Sequence, residues 1–211
     1  MAYRNIKKIA DAEFPTRWGE FRILGFEGQP PAPRPQQQRL VEGLAALVMG
    51  DIHTKPPVVR VHSQCLMGDA FGSLRCDCRQ QLELALQRIS AEGAGILLYE
   101  QQEGRGIGLM NKLRAYELQD HGFDTVEANI ELGFTADCRK YELPAAALKI
   151  LGVGRVRLMT NNPEKIDALE QAGIEVVERI SAEVEPQKSF EKYMRAKVEK
   201  MGHMLDSLVS R

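Results

Sequence analysis

The chain has 211 residues, 44% hydrophobic and 27% charged, with a formal net charge of −1. That length suits one substantial core, so a single domain is expected, and the near-neutral balance excludes the overall basic field of a nucleic-acid binder. The start, Met1-Ala-Tyr-Arg-Asn-Ile-Lys-Lys8, has no apolar signal core, and no stretch approaches a membrane span. A cytoplasmic protein with reduced thiols is therefore expected, with neither membrane nor nucleic acid as partner.

Phe21 to Phe26 and Ala45 to Met49 read as strands. Between them Glu27 to Gln38 is rich in proline and glutamine, which build neither a ladder nor a core, so an exposed, mobile loop is predicted. Pro57 to His62 is a β-branched run that leads into the first cysteine. Gln80 to Ser90 carries Leu82, Leu84, Leu86 and Ile89 among good helix formers and stops at Gly93, and Gly95 to Tyr99 is a short buried strand. After Gly104-Arg-Gly-Ile-Gly108 comes a helix through Leu109, Leu113, Tyr116 and Leu118 to Gly122. The alternation continues with a helix Leu143 to Leu151, a strand Arg155 to Thr160, a helix Pro163 to Gln171 and a strand Ile174 to Ile180. This pattern predicts an α/β fold, α+β-like, with a mixed sheet and flanking helices. A last amphipathic helix, Phe190 to Leu208, reads as a packing or dimer helix.

Three of the four cysteines, Cys65, Cys76 and Cys78, fall inside one polar, glycine-containing loop. Thiolates are zinc ligands, and a site with three protein ligands keeps a fourth position for water, the arrangement of a hydrolytic centre. Buried core packing fits poorly beside Asp69, Arg75, Asp77 and Arg79. A structural zinc closed by His62 or Cys138 is the competing reading, since structural sites normally have four protein ligands.

Gln101-Gln-Glu103-Gly104-Arg105-Gly106-Ile-Gly108 lies between a strand and a helix, where free amides and the helix dipole favour an anion. The glycines alone equally describe a tight turn. Arg105 adds a planar set of donors suited to phosphate or a purine edge, and the Glu103 carboxylate can accept from guanine N1–H and its 2-amino group. Asp137 and Arg139, two apart, would share one side of an extended segment, usually as a surface ion pair. Thr160-Asn161-Asn162-Pro163-Glu-Lys165 joins a strand end to a helix, a position for ligand contacts in open α/β sheets, with an asparagine N-cap as the plain alternative.

Taken together, Arg60-Val-His-Ser-Gln-Cys65, Ser73-Leu-Arg-Cys76-Asp-Cys78, Gln102-Glu-Gly-Arg105-Gly-Ile-Gly-Leu, Tyr116, Asp124-Thr-Val-Glu-Ala-Asn129, Leu132-Gly-Phe, Asp137-Cys-Arg139, Leu158-Met-Thr-Asn-Asn-Pro163 and Lys200-Met-Gly-His203 resemble GTP cyclohydrolase II, over about Ala12 to Leu205. The resemblance implies the stand-alone form, without a fused dihydroxybutanone-phosphate synthase domain. It implies a catalytic domain over residues 1–180 and a C-terminal helical segment over 181–211, in a homodimer.

The reaction implied is the first step of riboflavin biosynthesis: GTP and three waters give formate, pyrophosphate and 2,5-diamino-6-hydroxy-4-(5-phosphoribosylamino)pyrimidine. By position, Cys65, Cys76 and Cys78 match one Zn2+ per subunit, and Tyr116 the tyrosine beside the ring-opening chemistry. Arg60, Val61, His62, Ser63, Gln64, Gln81, Glu103, Gly104, Arg105, Thr125, Thr160 and Lys165 match the GTP-binding positions, with Mg2+ expected on the triphosphate. Asp137 and Arg139 match the base and the nucleophile toward the α-phosphorus, although a guanidinium stays protonated and is a better phosphate clamp.

The chain departs from the family pattern at Gln64, Arg79, Glu100-Gln101 and Cys138. Two alternatives accompany the reading: a relative that releases the still-formylated pyrimidine, which Tyr116 argues against, and a non-catalytic nucleotide-binding protein that uses zinc only to fold.

Overall fold

A computed structural model describes residues 3–30, 41–185, 187 and 189–205. Seven strands form one mixed sheet in the order β1-β2-β3-β5-β4-β6-β7. Strands β1 (Arg4–Thr16), β2 (Gly19–Gln29), β3 (Glu42–Met49) and β5 (Gly95–Glu100) pair antiparallel. β5, β4 (Val58–Ser63), β6 (Arg155–Met159) and β7 (Glu175–Ile180) run parallel. The predicted mixed sheet with flanking helices is what forms.

The parallel half is covered on both faces, as such sheets must be. On one face helix α2 (Cys78–Glu92) packs Ala85, Leu86 and Ile89 on Phe21, Val58 and Leu97. On the other, α5 (Glu142–Ile150) and α6 (Pro163–Gln171) pack Leu143, Leu148 and Leu169 on Phe26, Val59, Val61 and Leu158. The alternation along β4 therefore assigns its side chains. Val59 and Val61 enter the main core, while Arg60 and His62 share the α2 face with Val58.

β4 connects through α2 to β5 on one side of the sheet, and β6 connects through α6 to β7 on the other. The carboxyl ends of β4 and β6 thus flank the point where connections diverge, the crevice in which open α/β sheets bind ligands.

Among the elements that escaped the sequence reading are β1 and a helix after α3 (Leu109–Asp120). β1 is exposed on both faces at nearly every residue, so it has no hydrophobic alternation to detect, and among the described residues it pairs only with β2. Helix α4 (Thr125–Glu131) is short, yet Asp124 and Glu127 form a capping box that announces it. β2 runs on to Gln29 against β1, so Glu27 to Gln29 are strand and not loop; positions 31 to 38 lie outside the described residues. No helix among the described residues is long and apolar enough to cross a membrane.

Candidate functional site

The loop after β4 turns through the four-residue helix α1 (Leu66–Asp69), with Cys65 as its N-cap, and brings Cys65 back beside Cys76 and Cys78 at the start of α2. The three sulfurs lie within 4.8 Å of one another, and Cys65 Sγ and Cys76 Sγ are 3.7 Å apart. Zinc–sulfur bonds of about 2.3 Å put tetrahedral sulfurs about 3.8 Å apart, so the donor set fits zinc. Gly68 lines the cradle: a Cβ there would sit 3.0 Å from Cys76 Sγ and 3.2 Å from Cys65 Sγ.

Neither candidate fourth ligand joins the thiols. His62 Nε2 is held 3.2 Å from Asp69 Oδ1 and its ring stacks on Tyr99, while Cys138 Sγ lies 3.1 Å from the Thr135 hydroxyl. Burial lowers the His62 pKa, opposed by Asp69. Asp69 also accepts from the Cys65 amide and from the Tyr99 hydroxyl, so one carboxylate fastens the metal loop to β4 and β5.

Helix α3 (Leu109–Asp120) supplies a lysine that the sequence reading missed. Lys112 and Tyr116 are one turn apart and face the same way. Lys112 Nζ donates to Cys65 Sγ at 3.0 Å and to Glu103 Oε1 at 2.6 Å. Burial, opposed by the Lys112 charge and aided by the neighbouring thiols, raises the Tyr116 hydroxyl to about 12, so it stays protonated.

Between β5 and α3 runs a 3-10 turn, Glu103–Gly106, in which Gly104 and Arg105 are left-handed. Arg105 has φ +59, a conformation that costs a non-glycine residue about 1 kcal/mol or more. Gly106, at φ +87, is pressed on Cys138, where a Cβ would meet backbone atoms at 2.9 Å. The turn aims the Arg105 guanidinium into the crevice, where Nη1 and Nη2 have no hydrogen-bond partner.

Glu103 sits otherwise than expected. Its oxygens accept from the Leu66 amide at 2.7 Å, the Gly104 amide at 3.0 Å and Lys112, and the side chain is buried behind the cavity wall. Val61 likewise points into the core, offering only its carbonyl, which accepts from Lys165 Nζ at 2.7 Å.

The remaining site residues, Asp137 excepted, surround two adjoining pockets. The first, about 650 Å³, is lined by the three thiols with Gln64, Gly104, Tyr116 and Thr125. The second, about 580 Å³, is lined by Arg60, His62, Gln81, Thr160 and Lys165. Ser63, Cys78, Arg105, Arg139 and Tyr193 border both.

The second pocket is a cage of donors. Arg60 Nε, both Arg105 terminal nitrogens and the amide nitrogens of Asn161 and Asn162 are buried without partners. Burial pulls Arg60 down to about 10, and burial with the Arg60 and Arg139 charges pushes Lys165 well below its usual range. Cations so crowded and desolvated call for an anion.

Asp137 and Arg139 are not a surface pair. The guanidinium donates through Nε to both carboxylate oxygens, at 2.9 and 3.0 Å, and the pair is largely buried. Burial alone would lower the Arg139 pKa, but Tyr141 and Asp137 raise it well above the usual value, while the Arg139 charge holds Asp137 low against its burial.

The C-terminal segment also differs from expectation. Helix α7 (Glu191–Met201) ends at Gly202, short of the predicted Leu208, which lies outside the described residues. Tyr193, Met201 and His203 line the second pocket, and Leu205 is buried with Phe190 and Met194. Leu205 is thus covered by its own chain and does not require a second subunit, whereas Tyr193 and Met201 face the pocket. Among the departures, Arg79 is exposed and donates to the Asp69 carbonyl, and Gln101 is exposed.

A family model for GTP cyclohydrolase II matches residues 7–181. The chain is 53% identical over 204 residues to a GTP cyclohydrolase-2 of Shigella boydii, covering 95% of this chain and 98% of that one. It is 53% identical over 201 residues to a GTP cyclohydrolase-2 of an Enterobacter species, with the same coverage. A match that runs through the thiol loop, the Gly104–Gly108 turn and the Asp137–Arg139 pair, at this identity and nearly end to end, means that the chain belongs to the GTP cyclohydrolase II family and is a hydrolase of that kind.

Proposed function

We propose that the two adjoining pockets divide one GTP molecule, with the purine against the three thiols and the triphosphate, carrying Mg2+, in the donor cage. The reaction is hydrolysis to formate, pyrophosphate and the diamino-pyrimidinone ribosyl phosphate, the first step of riboflavin biosynthesis. The observation that carries this reading is the shared wall: Arg139 borders both pockets, where the α-phosphate that links nucleoside to pyrophosphate would lie.

Cys65, Cys76 and Cys78 are the residues to hold one zinc ion per chain. When bound, zinc supplies Lewis-acid activation of water for opening the imidazole ring. Tyr116, protonated and facing the thiols, donates its hydroxyl proton toward the formyl oxygen and so supports full formate release. Arg60, Arg105 and Lys165 neutralise the phosphates, and Thr125 and Gln64 border the base. Arg139, protonated and locked by Asp137, acts as a clamp on the α-phosphate. A homodimer is the assembly that the family resemblance implies, and light scattering at micromolar concentration checks it.

The test is incubation of the purified, zinc-loaded protein with GTP and magnesium, followed by chromatography. Formate and pyrophosphate are expected in equal amounts; intact GTP with neither product overturns the reading. A product that keeps its formyl group by mass spectrometry would establish the early-stop alternative.

A further inference from the structure

Asp77, between two of the thiols, is 1% exposed, and the group that neutralises it comes from the far end of the chain. Lys197 on α7 donates from Nζ to Asp77 Oδ1 at 2.8 Å. Gln81 Nε2 donates to the other oxygen, Oδ2, at 2.6 Å. Gln81 Oε1 in turn accepts from Arg60 Nη2 at 2.6 Å, and Arg60 Nη1 donates to the Met159 carbonyl at 3.0 Å. Each partner fixes the next: with Nε2 committed to Asp77, only the Gln81 oxygen is left to face the guanidinium. An unbroken chain of bonds thus runs from α7 through the metal loop and the first turn of α2 to the arginine that lines the donor cage.

We propose that Lys197 and Asp77 are positioning residues for the reaction, acting through Gln81 and the Cys76–Cys78 backbone to keep the thiols and Arg60 in mutual register. The inference rests on the proposed division of GTP between the pockets. Lys197 also closes over the Tyr193 ring at 4.2 Å, so the helix that carries it roofs the shared boundary. A second anchor, Lys200 on the Asp124–Glu127 capping box, holds α7 without touching this relay, and so separates docking of the helix from the relay itself.

The experiment uses the full-length, zinc-loaded enzyme and two readouts. One is the rate of zinc release to a chromophoric chelator without GTP; the other is the split between KM for GTP and kcat. Lys197→Met is expected to release zinc and raise KM by roughly 10–100-fold, the range for residues that orient metal ligands. Lys197→Arg, which can still donate to Asp77, should recover most of both, and Lys200→Met should release zinc at the native rate. The double variant Asp77→Asn/Lys197→Met should be little worse than the worse single one, because both remove the same link.

A folded Lys197→Met enzyme with native zinc release and native KM overturns the proposal, and so does Lys200→Met releasing zinc as fast as Lys197→Met. If Lys197→Met does not fold, Asp77→Asn, which keeps the volume, decides in the same two assays. Failure of the native enzyme to hydrolyse GTP would instead defeat the underlying functional reading, which zinc release does not test.

Discussion

Lys112 places its ammonium 3.0 Å from the Cys65 sulfur, in the wall of the pocket that carries the thiols. A cation at that distance offsets the charge that three clustered thiolates would accumulate. Lys112→Met is expected to weaken zinc binding by roughly 10–100-fold in competition with a chelator, as loss of a group bonded to a metal ligand typically does. Native zinc affinity in that variant would show that the lysine serves substrate or fold instead.

Glu103 links Lys112 to the Leu66 amide beside Cys65, so its carboxylate has three donors within the protein. Glu103→Gln turns an acceptor into a donor facing either an N–H or an ammonium, a mismatch of a few kcal/mol. GTP turnover should fall by about a hundredfold or more. The ratio of GTP to ATP turnover should stay unchanged. A ratio that collapses toward ATP would mean that the carboxylate reads the guanine edge directly in the complex.

Arg139 has its Nε bonded to both oxygens of Asp137. Arg139→Lys keeps the charge and loses the fork, and should lower kcat by on the order of a hundredfold, the cost of misplacing a group that positions the reacting atoms. Turnover mixtures denatured at neutral to mildly alkaline pH, where an arginine phosphoramidate survives, should contain no nucleotide bound to the protein by mass spectrometry. A guanylylated Arg139 peptide would make this arginine the nucleophile.

Lys165 gives the site a pH dependence. Its pKa is lowered by burial and then by Arg60 and Arg139, so the free enzyme loses this proton as pH rises through the depressed value. An anion in the cage restores the proton, so triphosphate binding should take up a proton and weaken as pH rises. Calorimetry with inorganic tripolyphosphate in two buffers of different ionisation enthalpy measures the uptake. Lys165→Met should abolish it, and an unchanged uptake in that variant refutes the assignment.

His203 sets an acid limit on stability. Burial, then the charges of Lys197, Arg139 and Arg105, lowers its pKa to about 3. The unfolded chain takes up this proton near pH 6.5 while the folded chain does not, so the contribution is complete above 6.5 and lost as pH falls toward 3. The slope approaches about 1.4 kcal/mol per pH unit below 6.5, which makes about 2 kcal/mol between pH 7 and 5. Urea unfolding at pH 7 and 5 should show that difference in the native protein, and less of it in His203→Gln.

The sequence by itself determined the elements whose side chains bury on a regular period. The β-branched run into His62, the apolar strand Gly95–Glu100 and the helices at α2, α5 and α6 were legible because the 2.0 and 3.6 repeats report burial directly. The thiol triad was legible too, because metal chemistry needs particular atoms in short reach, and loop spacing limits reach. β1 was not, since a strand exposed on both faces carries no alternation.

Tertiary structure decided which way the polar groups face and what they touch. Glu103 stands in a motif with a substrate-binding appearance, yet packing turns its carboxylate onto Leu66, Gly104 and Lys112. Val61 shares that appearance, and the strand's alternation sends it to the core. Lys197 and Asp77 are separated by 120 residues, and no local pattern encodes a bond between them. A buried carboxylate must find a positive partner wherever the chain brings one past, and that choice is made only when α7 folds over the sheet's carboxyl edge.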